Sequence, residues 1–126
     1  MKQKNFPTVR IFGVDYQLIF TPGLGISDEE TTGGVISSNT DRPKIVVSTA
    51  EPIATQQETA LHEIVHICDR ASSGGRILSE KTVDRMGRAI YGAGRDNPGL
   101  FAWIFLAGIP KPILRVIFKN LLETDQ

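Results

Sequence analysis

The only two histidines of this 126-residue chain, His62 and His66, lie four residues apart, and Glu63 directly follows the first. This arrangement is an HExxH motif. On an α-helix, residues four apart share one face about one turn from each other, so both imidazoles can bind a single ion. Such a pair suits Zn²⁺, which lowers the pKa of a bound water toward ~7. Glu63 can take the proton of that water, so the motif predicts hydrolytic chemistry at a carbonyl.

A catalytic zinc site needs a third protein ligand. The chain has no third histidine, so this ligand must be a carboxylate or the single cysteine, Cys68. Cys68 follows His66 by two residues and therefore projects about 200° away from it around the helix, toward the core with Val65. A carboxylate from another element is the better candidate.

A second helix offers that carboxylate. It is predicted to run from Ser79, a suitable N-cap, to Tyr91. The spacing of Glu80, Asp84, Gly87 and Tyr91 puts them on one face of this helix. We expect Glu80 to be the third ligand, Asp84 to accept a hydrogen bond from a liganding histidine, and Tyr91 to stabilise the oxyanion. The alternative for this stripe is a solvated acidic face without function.

The motif helix itself has recognisable ends. Thr55 and Glu58 match a capping box, which predicts a start near Gln56, and Gly74 predicts its end. Asp69 lies one turn beyond the second histidine, so a hydrogen bond to a loop or to a histidine is a better use for it than direct metal binding. The alternative for the whole motif is an amphipathic helix with two half-buried, hydrogen-bonded histidines and no metal.

Strands are predicted before the motif helix. Residues 9–20 are rich in β-branched and aromatic side chains with a turn signal in the middle, which favours a strand or a short hairpin. Residues 21–34 have loop composition. Two more short strands are predicted at 35–38 and 44–49. Three or four strands therefore precede the helices.

Two apolar helices are predicted in the C-terminal part. Asn97 and Pro98 are typical of an N-cap and a first helical residue, this helix ends at Gly108, and another follows Pro112. Neither is long enough to span a bilayer, so simple membrane insertion is disfavoured. Packing against the core, packing against a sister subunit in a homo-oligomer, and a surface-seeking basic amphipathic helix remain open.

Composition bounds the remaining possibilities. The length predicts a single domain, with a metal-binding body at 1–109 and an apolar helical tail at 110–126. Fourteen basic and fourteen acidic residues balance, which argues against a nucleic-acid partner. One cysteine cannot form an internal disulfide, and the N-terminal residues lack the apolar segment of a secretory signal. We therefore expect a cytoplasmic protein.

The stretches LHEIVHICD and LSEKTVDRM, followed by DNP before an apolar helix, resemble the small phage and bacterial metallopeptidases related to the ImmA/IrrE family. The resemblance covers residues 9–108. It implies an α+β fold of minimal zincin-like type, in which a small antiparallel sheet of three or four strands packs on the HExxH helix beside two or three further helices. It also implies a gluzincin-type site with one Zn²⁺ ion, in which Glu63 is the general base and Asp84 orients a histidine. The implied zinc ligands are His62, His66 and Glu80.

We therefore expect a zinc metallopeptidase that cleaves a protein or peptide substrate, for example a phage-encoded regulatory protease in the host cytoplasm. The substrate is expected to add a strand to the sheet edge at the KIVVST segment. The alternative function is a non-catalytic, zinc-stabilised module that binds a protein through its apolar C-terminal helices.

Overall fold

The structure is a computed structural model that describes residues 8–22, 34–37, 43–75 and 77–124. Four strands and four helices make an α+β fold, as predicted. Most of the loop predicted at 21–34 lies outside the described residues. The elements are β1 (Val9–Ile11), β2 (Val14–Thr21), β3 (Gly34–Ser37), β4 (Lys44–Ser48), α1 (Ile53–Ser73), α2 (Glu80–Asp96), α3 (Pro98–Leu106) and α4 (Lys111–Thr124).

The strands form one mixed sheet in the order β1-β2-β4-β3. β1 and β2 are the predicted hairpin, and its turn consists of Phe12 and Gly13, both with positive φ. β4 pairs in parallel with β2 and antiparallel with β3. The prediction of a purely antiparallel sheet is therefore wrong at the pair of β2 and β4.

The composition of β4 explains its central position. Ile45 and Val47 of this strand are among the most deeply buried side chains of the described residues. A strand with neighbours on both sides buries such side chains best. β3 lies at the outer side of β4, the strand that follows it in the sequence. The chain reverses direction between β3 and β4, and β4 runs parallel to β2. The apolar pattern alone does not say which strands become the two neighbours of β4.

The hydrophobic core lies between the sheet and one face of α1. Ile45, Val47 and Ile67 form its buried centre. The side chains that α1 contributes recur at spacings of four and three residues, which is one helical face. The partly buried residues that complete the core are Ile11, Tyr16, Leu18, Phe20, Ala60 and Ile64.

The start of α1 differs from the prediction. The helix begins at Ile53, and its N-cap is Pro52, which offers no capping side chain. Because the helix already begins at Ile53, Thr55 and Glu58 lie inside it instead of forming a capping box.

The connection from α1 to α2 follows the local signals. Gly74 adopts the left-handed conformation with φ 75°, and its N–H donates to the carbonyl of Arg70. Ser79 caps α2 by accepting a hydrogen bond from the N–H of Thr82. α2 then continues to Asp96, beyond the predicted end at Tyr91.

Much of the apolar surface of α3 and α4 is exposed. The sequence left three possibilities open for these helices. This exposure contradicts the first of them, in which both helices pack against the core. Within the described part of the chain, no helix combines the length and the hydropathy needed to cross a membrane. The exposed large side chains are Leu100, Trp103, Ile104, Phe105, Ile113, Val116, Ile117, Phe118, Leu121 and Leu122.

Replacing Ile67 by alanine is expected to lower the free energy of unfolding by about 2–5 kcal/mol, because it leaves a cavity in the core. Ile67 is 2% exposed, whereas Ile77 is 70% exposed. Ile77→Ala is therefore the matched control and should change stability by less than about 0.5 kcal/mol. Urea unfolding followed by circular dichroism measures both, and similar losses for the two variants would contradict this core.

Candidate metal centre

The face of α1 opposite the core packs closely against α2. A Cβ added to Gly87 of α2 would lie 3.4 Å from the Cα of His62, so the two backbones are already at contact distance there. The two helices run antiparallel, because residues further along α2 contact residues nearer the start of α1. These contacts are Glu80 with His66, Arg88 with Glu58 and Tyr91 with Gln57.

At one end of this packing, a single carboxylate contacts both histidines. Oε1 of Glu80 lies 2.7 Å from Nε2 of His62, and Oε2 lies 2.9 Å from Nε2 of His66. The two rings meet edge to face, with centroids 4.9 Å apart. The ε nitrogens of two imidazoles on α1 therefore converge on one carboxylate that α2 supplies.

A second carboxylate lies beside the pair. The ligand atoms of His62, Glu63 and His66 are all within 4.8 Å of one another, and all three residues are buried. The direction of the imidazoles distinguishes the two carboxylates, because both ε nitrogens face Glu80. Glu63 therefore lies beside the two histidines but not between their ε nitrogens.

The donor set fits a zinc ion. Bonds of ~2.0–2.2 Å at tetrahedral angles put neighbouring ligand atoms about 3.3 Å apart. The contacts of Glu80 are about half an ångström shorter than that, and its side chain is 57% exposed, so a small outward movement makes room for the ion. The three predicted ligands are thus brought together, while zinc binding itself stays a prediction.

The surroundings of Glu80 keep its carboxylate ionised. Burial raises the pKa of Glu80, but the charge of His66 and the hydrogen bond with His62 outweigh it and hold the pKa below its usual value. The carboxylate is therefore ionised, which is the form that binds a metal. Burial raises the pKa of the Cys68 thiol, which disfavours the thiolate that zinc requires.

Asp84 lies on the outer side of His62. Its Oδ1 is 3.7 Å from Nδ1 of His62, and its Oδ2 is 3.2 Å from Nε of Arg88. The first distance is too long for the hydrogen bond that the sequence predicts, so the contact is electrostatic. Its direction agrees with the orienting role, because Asp84 faces the imidazole nitrogen that is turned away from Glu80.

Asp69 makes the loop contact that was one of its two expected uses. Its Oδ2 accepts hydrogen bonds from the N–H groups of Ile77 and Leu78, both at 3.0 Å. These residues directly precede Ser79, the N-cap of α2. Asp69, which is buried, therefore ties the end of α1 to the start of α2 and fixes the position of Glu80.

Tyr91 is not brought to the histidines. Its hydroxyl donates to Oε1 of Gln57 at 2.7 Å. Gln57 precedes His62 by five residues, which is about 7.5 Å along the axis of α1. The shared helical face that motivated the expected role of Tyr91 says nothing about this axial distance, so the prediction of Tyr91 as oxyanion stabiliser has no support in the geometry.

Gly87 is the residue whose role the sequence analysis missed. Its lack of a side chain lets α2 approach the backbone of α1 at His62. A signal existed, because a glycine in a helix interior costs about 1 kcal/mol relative to alanine and so indicates a packing reason. Gly87 lies on the same predicted stripe as Glu80 and Asp84.

Comparisons with protein-family models, with curated proteins and with solved structures find no match to this chain. The interpretation of the site therefore depends on its geometry and its chemistry. Two buried imidazoles and an ionised carboxylate from another helix are the observations to explain.

Removing the Asp69 carboxylate is expected to weaken zinc binding by about 10- to 100-fold, because the start of α2 loses its attachment. Asp69→Ala is the test variant. Asp15→Ala is the control, since Asp15 pairs with Arg10 and both side chains are exposed on the hairpin of β1 and β2. Competition with a zinc-sensitive dye measures affinity. Asp69→Asn retains an acceptor oxygen and should recover most of the loss, and full affinity in Asp69→Ala would contradict this role.

Proposed function

We propose that this chain is a zinc-dependent metallopeptidase that hydrolyses a peptide bond in a protein substrate. The observation that carries the proposal is the convergence of both histidine ε nitrogens on Glu80. Two imidazoles and a carboxylate are a ligand set of catalytic zinc, and a further glutamate beside them is the general base of HExxH enzymes. The resemblance of the sequence to ImmA/IrrE-related peptidases agrees with this function.

The roles of the side chains follow from their positions. His62, His66 and Glu80 would hold the ion, which when bound supplies a Lewis acid that lowers the pKa of water and polarises a carbonyl. Glu63 takes the proton from the attacking water and delivers it to the leaving amine. Its burial beside the histidines keeps this proton transfer away from bulk solvent.

The substrate approaches from the exposed side of Glu80. The expected pairing with the KIVVST strand fails, because β4 already has neighbours on both sides. Among the described strands, β1 and β3 are the outer ones, and of these β3 is in contact with α1, the helix of the motif. We therefore propose that an extended peptide pairs with the outer edge of β3, so that its backbone passes the metal centre.

A non-catalytic, zinc-stabilised binding module is the second candidate. The exposed apolar surface of α3 and α4 is the observation that favours it. This module would need zinc for stability but would not need the general base. Glu63 is therefore the residue that separates the two functions.

Protein purified without added zinc is expected to carry about one zinc ion per chain, measured by elemental analysis. His62→Ala and Glu80→Ala should each lose it, because either change leaves only two ligands. Glu51→Ala alters an exposed glutamate before α1 and should retain it. A wild-type protein without bound metal under zinc-replete conditions would contradict the proposal.

Glu63→Gln is expected to keep zinc and to lose peptidase activity by at least ~10²-fold, because the amide cannot accept the water proton. Cleavage is measured on a peptide library by mass spectrometry, with His62→Ala as the metal-free control. Activity at the wild-type level would reject the mechanism. Loss of zinc from Glu63→Gln would instead make Glu63 a ligand.

A further inference from the structure

α3 and α4 form the most apolar exposed surface among the described residues, and we propose that this surface lies on an anionic lipid bilayer. We call it the C-terminal apolar surface, and it comprises residues 98–122. The inference goes beyond the proposed peptidase function and does not depend on it. Three features carry it: the distribution of apolar side chains around α3, the basic stripe of α4, and the lengths of both helices.

α3 is apolar on every side. All residues from Pro98 to Pro110 are apolar. Phe101 attaches the helix to α2, since a Cβ added to Gly94 would meet its ring at 3.5 Å. Leu100, Trp103, Ile104 and Phe105 are each half or more exposed. At 100° per residue these four side chains cover about 200° of the helix circumference. One flat protein surface cannot cover so wide an arc, whereas lipid surrounds an immersed helix.

α4 adds positive charge to this surface. Lys111, Arg115 and Lys119 recur every four residues and so form one stripe along the helix. No acidic residue occurs between Asp96 and Glu123, so the segment carries three positive charges in a chain whose net charge is zero. Lysine and arginine stems can extend along an apolar surface while their charges reach lipid headgroups. The exposed apolar stripe of the same helix contains Ile113, Ile117 and Leu121.

The helix lengths indicate attachment to one leaflet. α3 has nine residues and α4 has fourteen, whereas a spanning helix needs about 20. Gly108, with φ 87°, and Pro110 separate the two helices. Short apolar helices with aromatic residues and adjacent basic charges lie in the interface between headgroups and acyl chains.

A second copy of the chain fits this surface less well. Self-association through it would bring two identical basic stripes together, and residues 97–122 contain no acidic side chain to compensate them. Anionic headgroups supply that compensation. The charge pattern therefore favours lipid over a homodimer.

The chain carries its own probe for the test. Trp103 is the only tryptophan, and it is 70% exposed on α3. Vesicles of phosphatidylcholine with phosphatidylserine are expected to shift the emission of Trp103 to shorter wavelength and to protect it from acrylamide quenching. Binding to these vesicles should be about 10- to 100-fold tighter than to phosphatidylcholine alone, because three basic side chains contribute.

Two charge variants isolate the contribution of α4. The triple change of Lys111, Arg115 and Lys119 to glutamine should reduce binding to the level seen with phosphatidylcholine alone. The matched control changes three exposed basic residues of α2 to glutamine and should bind like wild type. Those residues are Lys81, Arg85 and Arg95. Circular dichroism verifies that both variants are folded.

A separate variant tests the apolar contact. Phe105→Ser should abolish the emission shift on anionic vesicles without altering the helical content. An emission that does not respond to anionic vesicles would overturn the inference, and so would equal binding by the two triple variants. A shift that grows with protein concentration in the absence of vesicles, together with a dimer mass in ultracentrifugation, would assign the surface to a second copy and equally overturn it.

Discussion

The contact of one carboxylate with two imidazoles is the interaction on which the arrangement of the helices depends. α1 buries polar side chains on the face that does not meet the sheet, and such burial is unfavourable unless partners are provided. α2 provides them for the two histidines, through Glu80 for both imidazoles and through Asp84 on the outer side of His62. The chemistry of the motif therefore determines where α2 lies. The buried polar residues of α1 are Gln56, Thr59, His62, Glu63, His66 and Asp69.

The short connection between the helices imposes a second constraint. Only fourteen residues separate His66 from Glu80, so α2 must reverse direction directly after α1 ends. Gly74 allows the reversal through its left-handed conformation. Asp69 then accepts hydrogen bonds from the backbone N–H groups of Ile77 and Leu78, which follow the reversal. A glycine at position 87 then permits the close approach on which the position of Glu80 depends. The site is thus a property of a helical hairpin, and the sheet serves to bury the other face of α1.

The features that the sequence predicted are those with local causes. The helix of the motif, the glycine that ends it, the serine cap of α2 and the meeting of Glu80 with the histidines all follow from spacings within about twenty residues. The order of the strands was not predicted, because the central place of β4 depends on burial from both sides. The position of Tyr91 beside Gln57 was not predicted for a related reason, since a helical face defines an angle and not a position along the axis. Thr55 and Glu58 do not form the predicted capping box, because the helix already begins at Ile53.

α2 also connects the two surfaces that carry the proposals. Glu80 is its first residue, whereas Gly94, on which Phe101 of α3 packs, lies close to its end. Fourteen residues of continuous helix between them correspond to about 21 Å. A chain attached through α3 and α4 therefore keeps its candidate metal centre some 20 Å along α2 from the point where α3 is joined. Attachment at one end of α2 leaves the exposed side of Glu80 open at the other, so a substrate could reach the site while the protein is held at a membrane surface.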